Sequence, residues 1–220
     1  YTYYRKAQII RNGEVVKIRE SDIFNTINIH EIEIGDVGRL EAFPNGDALR
    51  YLQSIGIEEN SAEFRTIKHM GRYTMRWPGH CAFWKKLVDL HFLDHEPIII
   101  DGKEINRRNV LAKIIGPHIQ LKDTEKDLAI LLIEVIGKKN GEKTHAVYQL
   151  VDKRDLTTGF TAMSRTVGYT VSIGAQLIGN GLIAKTGILS PVNDIPYDIF
   201  KQELKNRGII IKSRIVSLSK

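Results

Sequence analysis

The spacing of apolar residues along the chain first predicts β-hairpins. Apolar segments flank Asn12-Gly13 and, further on, Asn140-Gly141, and Asn-Gly between two such segments is the strongest short signal for a hairpin turn. The paired strands are predicted at residues 7–10 with 15–18 and at residues 128–136 with 145–151. Alternating or continuous apolar positions predict further strands at residues 23–34, 64–70 and 209–216.

Apolar positions three and four residues apart predict helices at residues 47–55, 79–92, 109–115, 161–178 and 196–206. Asp47 is a candidate N-cap for the first of these, and Gly208 resembles the C-cap of the last. Because the strands come in hairpins and do not alternate strictly with helices, the predicted fold class is α+β. We expect a mostly antiparallel mixed sheet with helices packed on one face.

Size and composition exclude some classes of function for this chain. The 220 residues suffice for one sizeable domain or two small ones, and 42% apolar with 26% charged residues is ordinary for a globular protein. The net charge of +6 comes from Lys and Arg spread along the chain, so no nucleic-acid partner is expected. No apolar run approaches the roughly 20 residues that span a bilayer, and no membrane partner is expected.

The single cysteine, Cys81, excludes an internal disulfide and a cysteine-rich metal site, and it fits a reducing cytoplasm. We interpret it as a small buried apolar residue and not as a nucleophile. The chain starts with Tyr1 and not with Met. This start predicts a piece of a longer protein whose N-terminal part is absent.

The stretch from Gly71 to Asp94 carries the strongest candidate site, because a strand, a Pro-Gly turn and a helix start meet there. Helix N-termini have free N–H groups and a partial positive charge, which suit a carboxylate. Arg76 is either a surface arginine paired with an acid or a ligand-binding group. His80 is either a capping or core histidine or a group that contacts a carboxylate or moves a proton near neutral pH.

Two further segments contain polar residues that are candidates for ligand binding. Local structure explains these residues more simply. The turn Asn45-Gly46-Asp47 feeds a helix that carries Arg50, and turn chemistry with an N-cap explains these residues without a ligand. Ser164 and Thr166 lie in a predicted helix, where their hydroxyls either reach a substrate or, as is more usual, bond locally. No G-x-G-x-x-G stands between a strand and a helix, so no dinucleotide-binding fingerprint is present.

Four segments in register resemble the catalytic, substrate-binding half of the saccharopine dehydrogenase family, from about residue 32 to the C-terminus. They are residues 40–47 (Leu-Glu-Ala-Phe-Pro-Asn-Gly-Asp) followed by Tyr51 and Gly56-Ile57; residues 74–80 (Thr-Met-Arg-Trp-Pro-Gly-His); residues 161–168 (Thr-Ala-Met-Ser-Arg-Thr-Val-Gly); and residues 187–191 (Gly-Ile-Leu-Ser-Pro) with the ending at 204–209.

The resemblance implies one α+β domain over residues 1–220, similar to the second domain of glyceraldehyde-3-phosphate dehydrogenase. It also implies a missing N-terminal Rossmann domain that binds NAD or NADP, without which the isolated chain is expected to be inactive. The implied reaction is hydride transfer between the nicotinamide ring and the CH–NH carbon of a lysine-derived amino acid, through an imine that water hydrolyses. In such a reaction the cofactor supplies the difficult chemistry and the protein supplies orientation and electrostatics.

The resemblance also assigns site residues. His80 is the catalytic candidate; the substrate-binding candidates are Asn45, Asp47, Arg50, Arg76, Gly79, Ser164 and Thr166. In this assignment Arg76 holds a carboxylate and Asp47 faces an ammonium group. No metal is implied, and a homodimer through the small-residue helix 161–178 and an exposed sheet face is expected.

One position differs from the sequence that the resemblance implies for the family. Saccharopine-type relatives usually carry an arginine in a Pro-Asn-Arg-Asp sequence, where this chain has Gly46. That arginine would hold a substrate carboxylate, so either Arg50 replaces it or the substrate is smaller than saccharopine, as in lysine 6-dehydrogenase. A non-catalytic binding or dimerisation module derived from this domain is the alternative from another functional class.

Overall fold

The computed structural model describes residues 4–218. It has two compact units, one ending at Gln120 and the other beginning at Leu121. Both units combine helices with antiparallel strand pairs, which confirms the α+β class. The strands are distributed over several small sheets in place of one large sheet. One substrate-binding domain over residues 1–220 stays a prediction.

The first unit contains three small sheets with the strand orders β2-β1-β5, β3-β4-β6 and β7-β8. Its elements are β1 (Ala7–Arg11), β2 (Glu14–Ile18), β3 (His30–Ile34), β4 (Gly38–Pro44), α1 (Leu49–Ser54), α2 (Ala62–Arg65), β5 (His69–Met70), β6 (Tyr73–Arg76), α3 (His80–Asp89), β7 (Ile98–Ile100), β8 (Lys103–Ile105) and α4 (Arg107–Ile115). Short 3₁₀ turns lie at Glu20–Asp22, Thr26–Asn28 and Gly116–His118.

The first predicted hairpin is confirmed. Asn12 and Gly13 both have positive φ, 52° and 76°, as the favoured two-residue hairpin turn requires. Strands β1 and β2 pair in the register that places Arg11 opposite Glu14. The largest core cluster of this unit packs β1, β4 and α3 together through Ile9, Phe43 and Val88.

Two predicted strands of this unit are wrong over much of their length. Ile23 and Phe24 are buried in the core, but the chain then turns, because Asn25 and Asn28 donate side-chain hydrogen bonds back to Asp22. The strand begins only at His30.

The predicted strand 64–70 fails for a similar local reason. Ser61 caps a helical turn by accepting a hydrogen bond from the N–H of Phe64 at 3.1 Å. Only His69–Met70 is extended. The polar stretch that follows α3 also contains a short hairpin, β7 with β8, which its composition did not indicate.

The second unit is one three-stranded sheet with helices on it. Its elements are β9 (Leu128–Lys139), β10 (Glu142–Lys153), α5 (Ala162–Gly179), α6 (Pro191–Asp194), α7 (Tyr197–Asn206) and β11 (Ile211–Ser217), in the strand order β11-β10-β9. Lys139 pairs with Glu142 across the predicted Asn-Gly turn, which confirms this hairpin.

Helices α5 and α7 pack on the sheet face that holds Leu150, through a core that includes Ile173 and Leu204. On the same face Arg165 of α5 forms an ion pair with Asp152 of β10, with Nε 2.9 Å from Oδ2. This pair ties the long helix to the central strand. None of the helices in the described part of the chain has the length and apolar content needed to cross a bilayer.

Candidate functional site

The junction of β6 and α3 lies on one face of the β4–β6 strand pair. Glu41 of β4 is opposite Arg76 of β6, and Phe43 is opposite Thr74, and directly opposed residues of an antiparallel pair share a face. Arg76 is half-buried, and its Nη1 donates to the backbone carbonyl of Met75 at 2.7 Å. The predicted strand–turn–helix arrangement around Arg76 is therefore present.

The N-terminus of α3 is capped by the protein itself. A carboxylate oxygen of Glu41 accepts a hydrogen bond from the backbone N–H of Cys81 in the first turn. The positive end of this helix therefore already contacts an anion. The carboxylate of Glu41 occupies the helix start at which the sequence analysis placed a ligand carboxylate. The helix itself starts after Gly79, whose φ of 93° only glycine adopts readily.

Glu41 is a charged neighbour of Arg76 and His80 that the sequence analysis did not predict. It lies 40 positions before Cys81, so no local spacing rule connects the two residues. The only signal was a charged residue between the buried positions Leu40 and Ala42 of a strand. Glu41 brings a negative charge to the same face as Arg76 and His80.

His80 packs as an aromatic ring in the junction. It stacks on Phe43 with ring centroids 5.9 Å apart and an interplanar angle of 12°, and Phe24 and Trp84 lie at 6.4 and 6.0 Å. Burial first, and then the positive charge of Arg76, lower the pKa of His80 from its ordinary 6.5 to about 4, against an opposing effect of Glu41. His80 is therefore a neutral imidazole at pH 7.

One ring nitrogen of His80 is buried without a hydrogen-bond partner in the described part of the chain. Its Nε2 atom is buried and has no hydrogen-bond partner among residues 4–218. A buried nitrogen without a partner is costly unless a ligand or water satisfies it. This atom is the feature that keeps His80 a binding candidate and not only a core residue.

Acid is expected to destabilise the protein partly through His80. Unfolded, this histidine binds a proton below about pH 6.5; folded, it does so only near pH 4. Between those values the unfolded chain holds the extra proton, so stability falls as the pH falls through this window. We expect the urea midpoint of the His80→Phe variant to change less between pH 7 and pH 5 than that of the unchanged protein. The exposed His95→Phe variant is the control, and an equal pH dependence of all three proteins would contradict this role.

Cys81 agrees with its interpretation as a buried apolar residue. It is 1% exposed. Burial, followed by the neighbouring Glu41, raises the pKa of its thiol to about 12. A thiol with this pKa holds almost no thiolate at neutral pH, and the thiolate is the reactive form.

The turn after β4 uses its polar groups internally. Asn45 is 7% exposed; its Nδ2 donates to Thr74 Oγ1 at 2.5 Å and its Oδ1 accepts from Arg5 Nε at 2.7 Å. Asp47 accepts from the N–H of Leu49 at 2.9 Å. Its other oxygen lies 3.6 Å from Nε of the exposed Arg50. Turn and capping chemistry therefore account for Asn45, Asp47 and Arg50 before any ligand is added.

Ser164 and Thr166 belong to the second unit, in the first turns of α5. The Ser164 hydroxyl lies 2.7 Å from the hydroxyl of the N-cap residue Thr161, and the Thr166 hydroxyl donates to the carbonyl of Ala162 at 2.8 Å. Both hydroxyls are therefore satisfied locally, and their substrate-binding role stays a prediction. The helix start is also capped from a distance, because Asp127 accepts from the N–H of Ala162 at 2.7 Å.

Two clefts of the described chain lie away from the candidate site. One of about 410 Å³ lies beside Tyr4, Asp22, Lys85 and Asp94, and another of about 320 Å³ lies beside α7 and β11. None of the predicted site residues lines either cleft. Neither cleft therefore belongs to the candidate site.

Comparison with known proteins identifies the family. The family model of the saccharopine dehydrogenase C-terminal domain matches residues 2–209. The chain belongs to this family. The prediction made from the four sequence segments is thus confirmed.

Two individual relatives agree with this family assignment. Saccharopine dehydrogenase [NADP(+), L-glutamate-forming] of Saccharomyces cerevisiae is 31% identical over 122 residues, which are 53% of this chain and 27% of that protein. The Pyricularia oryzae enzyme of the same name is 23% identical over 96% of this chain and 59% of its own length. The chain thus spans at most about three fifths of these curated relatives.

A solved structure shows the same fold. Apo saccharopine dehydrogenase (L-Glu forming) from Saccharomyces cerevisiae superposes with a TM-score of 0.76 at 21% identity, covering 98% of this chain and 60% of that chain. At this identity the likeness supports the fold alone. It confirms that the small antiparallel sheets and helices described above form a saccharopine dehydrogenase-like fold.

Three helix starts of this saccharopine dehydrogenase-family chain do not suit the pyrophosphate of a dinucleotide. A pyrophosphate is usually held by free N–H groups at a helix N-terminus after a glycine-rich turn. The starts of α3 and α5 are instead occupied by the carboxylates of Glu41 and Asp127. The start of α4 is capped by the side chain of Asn106. These helix starts therefore offer no place for the cofactor.

Proposed function

We propose that this chain is the substrate-binding domain of an NAD(P)-dependent saccharopine dehydrogenase-like oxidoreductase. Its substrate would be a lysine-derived amino acid, oxidised at the CH–NH group in lysine metabolism. The family match over residues 2–209 carries this proposal. The half-buried guanidinium of Arg76, beside a neutral histidine on the same strand-pair face, supplies the binding chemistry.

Arg76 would bind a substrate carboxylate. A guanidinium offers a planar fork of N–H donors that matches a carboxylate, and each charge-assisted hydrogen bond is worth about 1.5–3 kcal/mol. Binding an anion here would also offset the positive charge that lowers the pKa of His80. We therefore propose that His80 contacts the substrate as a neutral imidazole through Nε2 and becomes more basic once the carboxylate is bound.

The cofactor, NAD or NADP, would be bound by a Rossmann domain outside this chain. The capped starts of α3, α4 and α5 support this, because side chains of the chain itself already accept hydrogen bonds where a pyrophosphate would bind. It would supply the hydride-transfer chemistry. We expect the isolated chain to be inactive and the whole enzyme to be cytoplasmic. Saccharopine is the first substrate to test, and lysine, the substrate of a lysine 6-dehydrogenase-like enzyme, is the second.

Replacing Arg76 by Met is expected to weaken substrate binding about ten- to a hundredfold, which corresponds to the loss of one charge-assisted hydrogen-bond pair. The measurement is the KM for saccharopine of the full-length protein. Arg39→Met is the matched control: it removes a guanidinium from the same sheet, exposed and paired with Glu31, and should leave the KM unchanged. Equal KM values for the two variants would rule out Arg76 as the carboxylate-binding group.

We also propose a homodimer formed through α5. Its exposed side carries large apolar residues at helical spacing: Met163, Val167, Val171 and Ile178, each at least 54% exposed. Small neighbours such as Gly168 and Ala175 would let a second copy approach closely. Sedimentation equilibrium at micromolar concentration should give the dimer mass, and Val171→Asp should shift it toward the monomer. A monomer mass for the unchanged protein would contradict this proposal.

A further inference from the structure

A second arginine, Arg5, lies directly over Gly46. The turn after β4 is hydrogen-bonded to β1, because Gln8 N donates to Gly46 O at 2.9 Å and Ala48 N donates to Gln8 O at 3.1 Å. These bonds bring the residues just before β1 next to Gly46. The Arg5 side chain therefore starts close to Gly46.

The Arg5 guanidinium is held in place by a buried group. Its Nε donates to Asn45 Oδ1 at 2.7 Å, and Asn45 is 7% exposed and anchored on its other side by Thr74. One buried amide therefore orients the plane of the guanidinium. An arginine held this way loses less conformational freedom when it binds a ligand than a free surface arginine does.

Gly46 makes room for this guanidinium. Its backbone has φ +74°, and a Cβ added there would lie 3.0 Å from Arg5 Nη2 and 3.4 Å from Cζ. The guanidinium thus occupies the space into which a side chain at position 46 would extend.

The charge of Arg5 is available to an anion. Among residues 4–218 its side chain forms no ion pair, and Nε accounts for the one hydrogen bond it donates there. Its terminal nitrogens carry four more N–H donors in a fixed fork, which suits a carboxylate. Arg50, the other candidate replacement, is 83% exposed and already lies 3.6 Å from Asp47.

We propose that Arg5 is a carboxylate-binding residue of the substrate site and that it replaces the arginine missing at position 46. This inference rests on the proposed function, since the anion would be a carboxylate of the amino-acid substrate. Two arginines, Arg5 and Arg76, would then favour a substrate with more than one carboxylate. The guanidinium comes from a different segment of the chain but reaches the same region.

The test measures the binding of L-saccharopine and L-lysine to the full-length protein by isothermal titration calorimetry. Arg5→Met should raise the Kd for saccharopine about ten- to a hundredfold, the effect of losing one charge-assisted pair. Arg50→Met tests the rival candidate in α1 and should change the Kd less than about threefold, because Arg50 is exposed and paired with Asp47. Arg39→Met, which removes an exposed guanidinium paired with Glu31, is the matched control. Circular dichroism melts verify that the variants fold.

The possible results distinguish a failure of the role of Arg5 from a failure of the proposed function. If saccharopine binds the unchanged protein but Arg5→Met binds it equally well, or if Arg50→Met carries the large loss, the role of Arg5 is overturned and the proposed function stands. If neither amino acid binds the unchanged protein, the proposed function fails and the role of Arg5 fails with it. Should Arg5→Met not fold, Arg5→Lys decides: it keeps the charge but not the fork, so a Kd raised severalfold supports the role and an unchanged Kd overturns it.

Discussion

Replacing Asp152 by Ala should destabilise the protein by about 3–5 kcal/mol, the usual effect of removing one member of a buried ion pair. The side chains of Asp152 and Arg165 are 9% and 11% exposed, and their charged atoms lie 2.9 Å apart. Without the carboxylate, the guanidinium of Arg165 stays buried between α5 and β10 with its main anion removed. The shift of the urea denaturation midpoint, read with the m-value, measures the loss.

Two controls show whether burial causes this effect. Asp89→Ala breaks an ion pair with Lys85 on the surface of α3 and should cost less than about 1 kcal/mol. The double variant Asp152→Leu with Arg165→Met replaces both charges by apolar groups and should recover most of the stability. A double variant as unstable as Asp152→Ala would contradict the explanation by an uncompensated charge.

Replacing Phe43 by Ala is expected to cost a similar 3–5 kcal/mol, because it empties the space of a large core side chain. Phe43 is 0% exposed and contacts two rings, with Phe24 at 5.0 Å and His80 at 5.9 Å between centroids. Water that enters the cavity should also reduce the burial that lowers the pKa of His80. We therefore expect the pKa of His80, followed by NMR titration, to rise from about 4 in this variant.

The matched control for this variant is Phe83→Ala. Phe83 lies on α3 in the same unit but is 51% exposed, so the same chemical change should cost at most about 1 kcal/mol and leave the pKa of His80 in place. Equal destabilisation by the two variants would show that Phe43 is not the core residue of the junction. An unchanged pKa of His80 in Phe43→Ala would show that burial against this ring does not lower it.

Local signals were sufficient for part of the fold. The hairpin of β9 and β10 follows from an Asn-Gly turn between apolar runs. The helix α5 lies where the apolar spacing predicted it, and at its start the side chain of Thr161 accepts from the N–H of Ser164. In both cases the determining residues are neighbours in sequence, so the pattern predicts the structure directly.

Local patterns failed where short-range polar contacts or non-local pairing decided the outcome. Residues 23–34 alternate like a strand, but the bonds of Asn25 and Asn28 to Asp22 turn the chain first. The site depends still more on distant residues: Glu41 caps Cys81 and Asn45 orients Arg5, each across 40 positions. Periodicity carries no information about such contacts, so sequence analysis proposed Arg76 and His80 as site residues but did not predict the contacts of Glu41 and Arg5.

We propose above all that this chain binds the substrate of a saccharopine dehydrogenase-like enzyme. The most direct measurement is the absorbance of reduced nicotinamide formed by the full-length protein from NAD or NADP with saccharopine, and separately with lysine. We predict cofactor reduction with saccharopine that the Arg76→Met variant largely loses at low substrate concentration. No reduction with either amino acid and either cofactor would contradict the claim.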